Sequence, residues 1–295
     1  MPDQITGLWV AMATPLDADR NVDLPSLVRH GLWCLAQGCD GLVPFGTTGE
    51  GPSFSIAERV KATEALLNAG VPAEKLAIGT GCPAIPDTVA LTREVMALGL
   101  THALILPPYF FRAAPPEGIE DAFAAIIDGV GSDRLRATLY HIPQVAGIGV
   151  PPAVLGHLRA RYGAVVAGVK DSSGDFDSFR AFRAAAPDAG TLVGAEVHIH
   201  RALAEGGTGT ICGMANVVPD LVRAMFANPA AETAMQAACD QFADPAFLPL
   251  MKAALASATG DAAWRNVRAP LRPADPARGA RIAAALAALQ ARRAA

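Results

Sequence analysis

Lys170 ends an apolar run, "AVVAGVK" (164–170), and the chain then breaks at once into "DSSGD". The sequence holds four lysines against twenty arginines, so a lysine closing a buried strand is not there for solubility. An amine attacks a carbonyl only when neutral, and an unperturbed lysine has a pKa of about 10.4. Desolvation lowers that value, to about 7–8 in catalytic lysines, and enlarges the reactive fraction by two orders of magnitude or more. Tyr140 ends the preceding apolar run, "ATLYH" (137–141), which sets a phenol beside the amine if the two runs are neighbouring strands. Such a hydroxyl shuttles protons to a carbinolamine and to the bond being broken. The third element is "GTTGEG" (46–51). Consecutive backbone N–H groups in a glycine-rich turn, with the hydroxyls of Thr47 and Thr48, suit an anion such as a carboxylate. A nucleotide phosphate loop is excluded, because the lysine of GxxxxGK[ST] is missing. Taken singly, each residue has a plainer role: a rim ion pair, a packed ring, a tight turn.

What must position them is legible in the spacing. Short apolar runs at 8–14, 41–45, 76–80, 102–107, 137–141, 164–170, 191–195 and 208–213 alternate with segments of helical periodicity such as "IAERVKATEALLNAG". Strands buried on both faces read as unbroken apolar runs, so the pattern predicts a parallel sheet covered by helices. Eight such units predict an α/β fold, a (β/α)8 TIM barrel. The competing doubly wound sheet lacks a GxGxxG after its first strand. Chemistry in such barrels sits at the C-terminal strand ends, where Lys170, Tyr140 and the 46–51 turn all fall. By strand alternation His141 and Asp171 point instead into the helix layer. Asp171, with Ser172 and Ser173, is expected to cap the helix opened by "GDFDSFRAF". A second glycine-rich stretch, "EGGTGTICG" (205–213), is either a phosphate site or tight turns around a strand start. Beyond residue 225 the strand pattern ends, giving a catalytic barrel over 1–225 and a C-terminal helical appendage over 226–295.

Composition removes other classes. A net charge of −4 with dispersed arginines leaves no nucleic-acid footprint. No apolar run approaches the roughly 20 residues of a membrane helix, and the N-terminus carries no signal-peptide pattern, so the expected location is cytoplasmic. Five cysteines without a CxxC pair predict reduced thiols rather than a metal cluster. "EVHIH" (196–200) would put His198 and His200 on one strand face, as a metal-dependent class II aldolase needs; it reads better as the start of a helix.

The ordered set "VAMATPLDADRNVD", "GTTGE", "YHIP", "GVKDSSGD" and "GGTGTICGMANVVP" spans the whole barrel. It resembles the dihydrodipicolinate synthase/N-acetylneuraminate lyase superfamily of pyruvate-dependent class I aldolases. The resemblance implies an imine between Lys170 and pyruvate or another 2-oxo acid, with an aldehyde as the second partner. It implies Tyr140 as the acid/base linked to the Thr47 hydroxyl, with Thr48 on the substrate carboxylate. Gly194 and the Ile211 backbone fall where the family contacts substrate or the lysine. No cofactor or metal is implied, since the protonated imine is itself the electron sink. A homotetramer built from dimers is implied as well. Two positions depart from the pattern. Phe110 in "PPYFF" stands where the family passes a tyrosine to a neighbouring subunit, and it cannot carry a proton. Val145 stands where true dihydrodipicolinate synthases carry an arginine for the aldehyde's carboxylate, and Arg112 is a candidate to supply charge nearby. These departures favour a lyase or aldolase on a 4-hydroxy-2-oxo acid or a 2-keto-3-deoxy sugar acid. A true 4-hydroxy-tetrahydrodipicolinate synthase and a catalytically idle 2-oxo-acid-binding barrel are the alternatives.

Overall fold

The computed structural model describes residues 3–294, with side chains to residue 291. Its centre is an eight-stranded parallel sheet in the order β2-β1-β8-β7-β6-β5-β4-β3. The strands are β1 Gly7–Met12, β2 Gly41–Pro44, β3 Ala77–Gly79, β4 His102–Ile105, β5 Arg136–His141, β6 Val166–Asp171, β7 Gly190–Val193 and β8 Gly209–Cys212. A parallel bridge between Leu42 and Leu76 joins the two ends of that order, so the sheet closes into the expected TIM barrel. Each of the eight predicted runs overlaps a strand; β2, β3, β4 and β8 lie wholly inside theirs, while β1, β5, β6 and β7 extend one residue past the predicted ends. The run at 164 begins instead with a 3-10 turn, Gly163–Val165, before β6.

Local chemistry explains where the helices begin. Ser55 and Glu58 form a capping box at the start of the helix Ile56–Asn68, directly after the 46–51 turn. Asp23 caps the helix Leu24–Ala36 by accepting the Ser26 N–H at 2.9 Å. The expected cap at Asp171 is corrected. Gly174, at φ +79°, turns the chain, and Asp175 caps the helix Phe176–Ala185 by accepting the Asp177 N–H. Asp171 instead accepts the Ser173 N–H at 2.8 Å.

The core falls into concentric layers. Trp9, Val43, Leu104, Tyr140, Leu192 and Ile211 fill the barrel interior. Larger clusters lie between sheet and helices, and one of them runs on into the C-terminal helices through Met235, Leu250 and Met251. Those helices, Ala231–Asp240, Phe247–Thr259 and Pro276–Ala294, therefore pack on the barrel rather than trailing from it.

Candidate active site

β5 and β6 pair in a register that sets Tyr140 beside Lys170 and His141 beside Asp171. The first pair faces the barrel interior and the second faces the helices. Lys170 Nζ donates to Tyr140 Oη at 3.3 Å and lies 4.3 Å from the centre of the tyrosine ring. Tyr140 Oη meets Thr47 Oγ1 at 3.2 Å. Amine, phenol and hydroxyl thus form one continuous chain, with Lys170 and Tyr140 each only 3% exposed. On the outer side the His141 ring packs edge-on against Phe182 and its Nδ1 accepts the Val150 N–H at 2.9 Å. Burial lowers the pKa of His141, more than the nearby Asp171 raises it, which keeps this imidazole neutral.

A cavity of about 230 Å³ opens over Lys170. Thr47, Thr48, Tyr140, Gly194 and Ile211 line it, as does Glu196. Gly194 is required by close approach: a Cβ there would sit 1.9 Å from Ser172 Oγ. Cys239, Phe242, Phe247 and Met251, all from the C-terminal helical region, cover the far side. The alanine-rich tail is therefore part of the site wall.

The turn carrying Thr47 and Thr48 is braced from two directions. Phe45 and Glu50 flank it at φ +61° and +55°, a region that bulky residues enter only when their surroundings force it. Arg59, buried, donates to the carbonyls of Gly51, Phe54 and Gly79 at 2.5, 3.2 and 3.1 Å. Glu50 Oε1 accepts from Lys252 Nζ at 2.5 Å, and the two side chains are 0% and 2% exposed. Glu50 Oε2 accepts the Arg268 N–H at 3.3 Å. The C-terminal region thus fixes the loop that presents the hydroxyls.

With this geometry in place, the comparisons are specific. Residues 4–287 match the dihydrodipicolinate synthetase family. The chain belongs to that family. An uncharacterised DapA-like lyase of Chloroflexus aurantiacus is 35% identical, over 90% of this chain and 91% of that one. A 4-hydroxy-tetrahydrodipicolinate synthase of a Synechococcus strain is 32% identical, over 98% and 97%. The crystal structure of dihydrodipicolinate synthase from Agrobacterium tumefaciens superposes with a TM-score of 0.91 at 30% identity, covering 97% and 99%. Family membership supports a lyase role.

Within this dihydrodipicolinate synthetase framework, several expected residues separate from the inner cavity. Arg112 and Val145 line an adjoining outer lobe of about 300 Å³, which shares Thr47 and Ile142 with the inner one. Arg112 lies along Gly147, where a Cβ would come within 2.6 Å of its Cδ. A cation is therefore present at the mouth, although Val145 supplies none and is itself 53% exposed. Phe110 belongs to neither cavity of its own chain. It and Phe111 are each 75% exposed, with ring centres 5.2 Å apart. The stretch 205–208 precedes β8 and so lies at the opposite face from Lys170; a phosphate site there would not serve this cavity.

Glu196 is the residue that sequence reading missed. It lies within the "EVHIH" stretch, whose spacing points only to its histidines. A 3-10 turn, Glu196–His198, followed by the helix Ile199–Ala204, removes the shared strand face. It leaves the carboxyl at the cavity edge, where Oε1 accepts the Met214 N–H at 2.9 Å. Desolvation pushes the Glu196 pKa up, only partly offset by backbone donors and the Lys170 charge. Among the described residues no group of three His, Cys, Asp or Glu side chains is arranged to hold a metal, and no helix is long and apolar enough to cross a membrane.

Proposed function

We propose that the protein is an imine-forming lyase that cleaves a hydroxylated 2-oxo acid to pyruvate and an aldehyde. The chain Lys170–Tyr140–Thr47, held in a buried cavity at the strand ends, carries this reading. The Lys170 amine attacks the C2 carbonyl, and the carbinolamine loses water to give a protonated imine. Tyr140, relayed to Thr47, takes the proton of the C4 hydroxyl. The C3–C4 bond breaks, its electron pair moves toward the imine nitrogen, and an aldehyde departs. Protonation of the resulting enamine at C3 and hydrolysis of the imine release pyruvate and the free amine. Thr48 and the turn amides hold the substrate carboxylate, with Gly194 and the Ile211 backbone beside the lysine. The Glu196 carboxyl at the cavity edge supports a hydroxyl-bearing substrate, since a carboxyl so placed exchanges hydrogen bonds with hydroxyls. The exposed pair Phe110 and Phe111 supports a homo-oligomer, read by light scattering as a mass above the 30.4 kDa of one chain.

Borohydride reduction in the presence of pyruvate tests the central step. The expected product is a three-carbon adduct on Lys170 alone. Labelling of Lys61, Lys75 or Lys252 instead, or no label, overturns it. One observation favours a second reading: Arg112 in the outer lobe offers a cation to an aldehyde with its own carboxylate, such as aspartate semialdehyde. Comparing kcat/KM for that condensation with cleavage of a 4-hydroxy-2-oxo acid on one preparation decides between them.

A further inference from the structure

Outside the barrel, the helices Leu24–Ala36, Phe247–Thr259 and Pro276–Ala294 enclose a cavity of about 530 Å³, more than twice the volume over Lys170. It exists because the C-terminal helices turn alanines toward it, among them Ala254, Ala258, Ala283 and Ala287. Three aromatic rings also line it, those of His30, Trp33 and Trp264. His30 stacks on Trp33, with ring centres 5.6 Å apart and an 18° tilt, and meets Trp264 edge-on at 4.8 Å.

The hydrogen bonds at its floor fix the state of that histidine. Asn216 Nδ2 donates to the carbonyls of Ala11 and Gly213, each at 2.8 Å. Its Oδ1 is therefore the acceptor, taking the Ala13 N–H at 3.0 Å and His30 Nε2–H at 2.9 Å. With the proton on Nε2, His30 Nδ1 is a lone-pair acceptor. At the rim, Arg29 spends one nitrogen, Nη2, on both Ser26 Oγ at 2.8 Å and Asp261 Oδ2 at 2.7 Å. Asp261 is further occupied by Ser26 Oγ and the Ala263 N–H. The Arg29 side chain is 65% exposed, so Nε and Nη1 remain to present to an anion.

From this arrangement we propose that the outer cavity binds a planar aromatic monocarboxylate, its ring against Trp33 and Trp264 and its carboxylate on Arg29. Flat rings stack on indole faces, and a guanidinium rim selects a carboxylate over its neutral amide. The volume lies within the usual range for small-molecule sites. The proposal is independent of the imine reading.

Calorimetric titration of the full chain with benzoate and with benzamide tests it, and tryptophan emission gives a second readout because two of the three tryptophans line the cavity. Benzoate is expected to bind once per chain with a Kd of roughly 0.1–1 mM. Arg29→Gln, at the exposed rim, should weaken benzoate about tenfold and leave benzamide unchanged. Ala283→Phe should fill the cavity and abolish binding of both, with far-UV circular dichroism unaltered. No saturation by wild-type protein at about 10 mM benzoate overturns the proposal. So does benzoate affinity that is unchanged in Arg29→Gln, or an equal loss of acid and amide in that variant.

Discussion

Lys252 offers the sharpest test of how the site is held. Its ammonium and the Glu50 carboxylate are buried against each other, 202 residues apart in sequence. Replacing Lys252 with Met keeps the apolar stem and removes the charge. Glu50 is then left inside the protein with the Arg268 N–H as its one remaining partner among the described residues. Breaking a buried pair on one side costs about 3–5 kcal/mol, because the stranded charge has lost both water and counter-ion. Removing both charges is far cheaper and can be neutral. Lys252→Met is therefore expected to lose about 3–5 kcal/mol in urea unfolding, and Glu50→Gln/Lys252→Met to recover most of it.

The single variant Glu50→Gln adds a sign. Burial already lowers the Lys252 pKa, and Glu50 is the group that pulls it back up. Without Glu50 the native Lys252 pKa falls further, whereas the unfolded chain keeps its proton up to about pH 10.5. The unfolded state then binds more protons, so the stability of Glu50→Gln should rise with pH between neutrality and 10. A loss below about 1 kcal/mol in Lys252→Met, or a double variant no better than that single one, would refute the reasoning.

Two further outcomes follow from the geometry. Tyr140→Phe should still trap pyruvate on Lys170 while turnover falls by roughly 10²–10⁴-fold, the weight of a positioned acid/base; near-normal turnover would place the proton shuttle elsewhere. His30 is held at a pKa of about 4 by burial, against 6.5 for the free group, with Cys34 Sγ, Asn216, Arg29 and Asp261 around it. Between those values the unfolded chain takes up a proton that the native chain refuses, so stability falls as pH drops from 6.5 to 4. At 1.36 kcal/mol per pKa unit the loss is about 3 kcal/mol, and His30→Gln should flatten that limb of a pH–urea profile.

The features legible in the sequence are those written in short segments. Each strand announces itself as an apolar run because it is buried on both faces, and alternation alone assigns Tyr140 and Lys170 inward, His141 and Asp171 outward. The cap of the helix Phe176–Ala185 is ambiguous in the sequence for a local reason too. Asp171, Ser172, Ser173 and Asp175 are all competent caps, and the positive φ of Gly174, which selects among them, is a conformation rather than a residue type.

What stayed hidden depends on contacts between distant segments. Nothing about "LPLMKAALASA" marks Lys252 as different from a solvated helix lysine. Its role exists only because the helix Phe247–Thr259 packs across the mouth of the barrel and meets Glu50 there. Cys239, Phe242, Phe247 and Met251 belong to the segment expected as a helical appendage, yet they form a wall of the Lys170 cavity. Arg112 is the same case at the outer lobe, where its position against Gly147 comes from the fold of two loops and not from spacing. Lys170 and Tyr140 sit on the strands and could be read in order along the chain. The groups that would choose its second substrate, Glu196 and Arg112, sit on the loops after β7 and β4. A (β/α)8 scaffold separates the two in this way because strand ends are fixed by the sheet while the loops above them vary freely. Substrate preference should therefore move with substitutions at Glu196 and Arg112 while trapping of pyruvate on Lys170 persists. Loss of trapping in Arg112→Ala would show that the outer lobe is not separable from the imine chemistry.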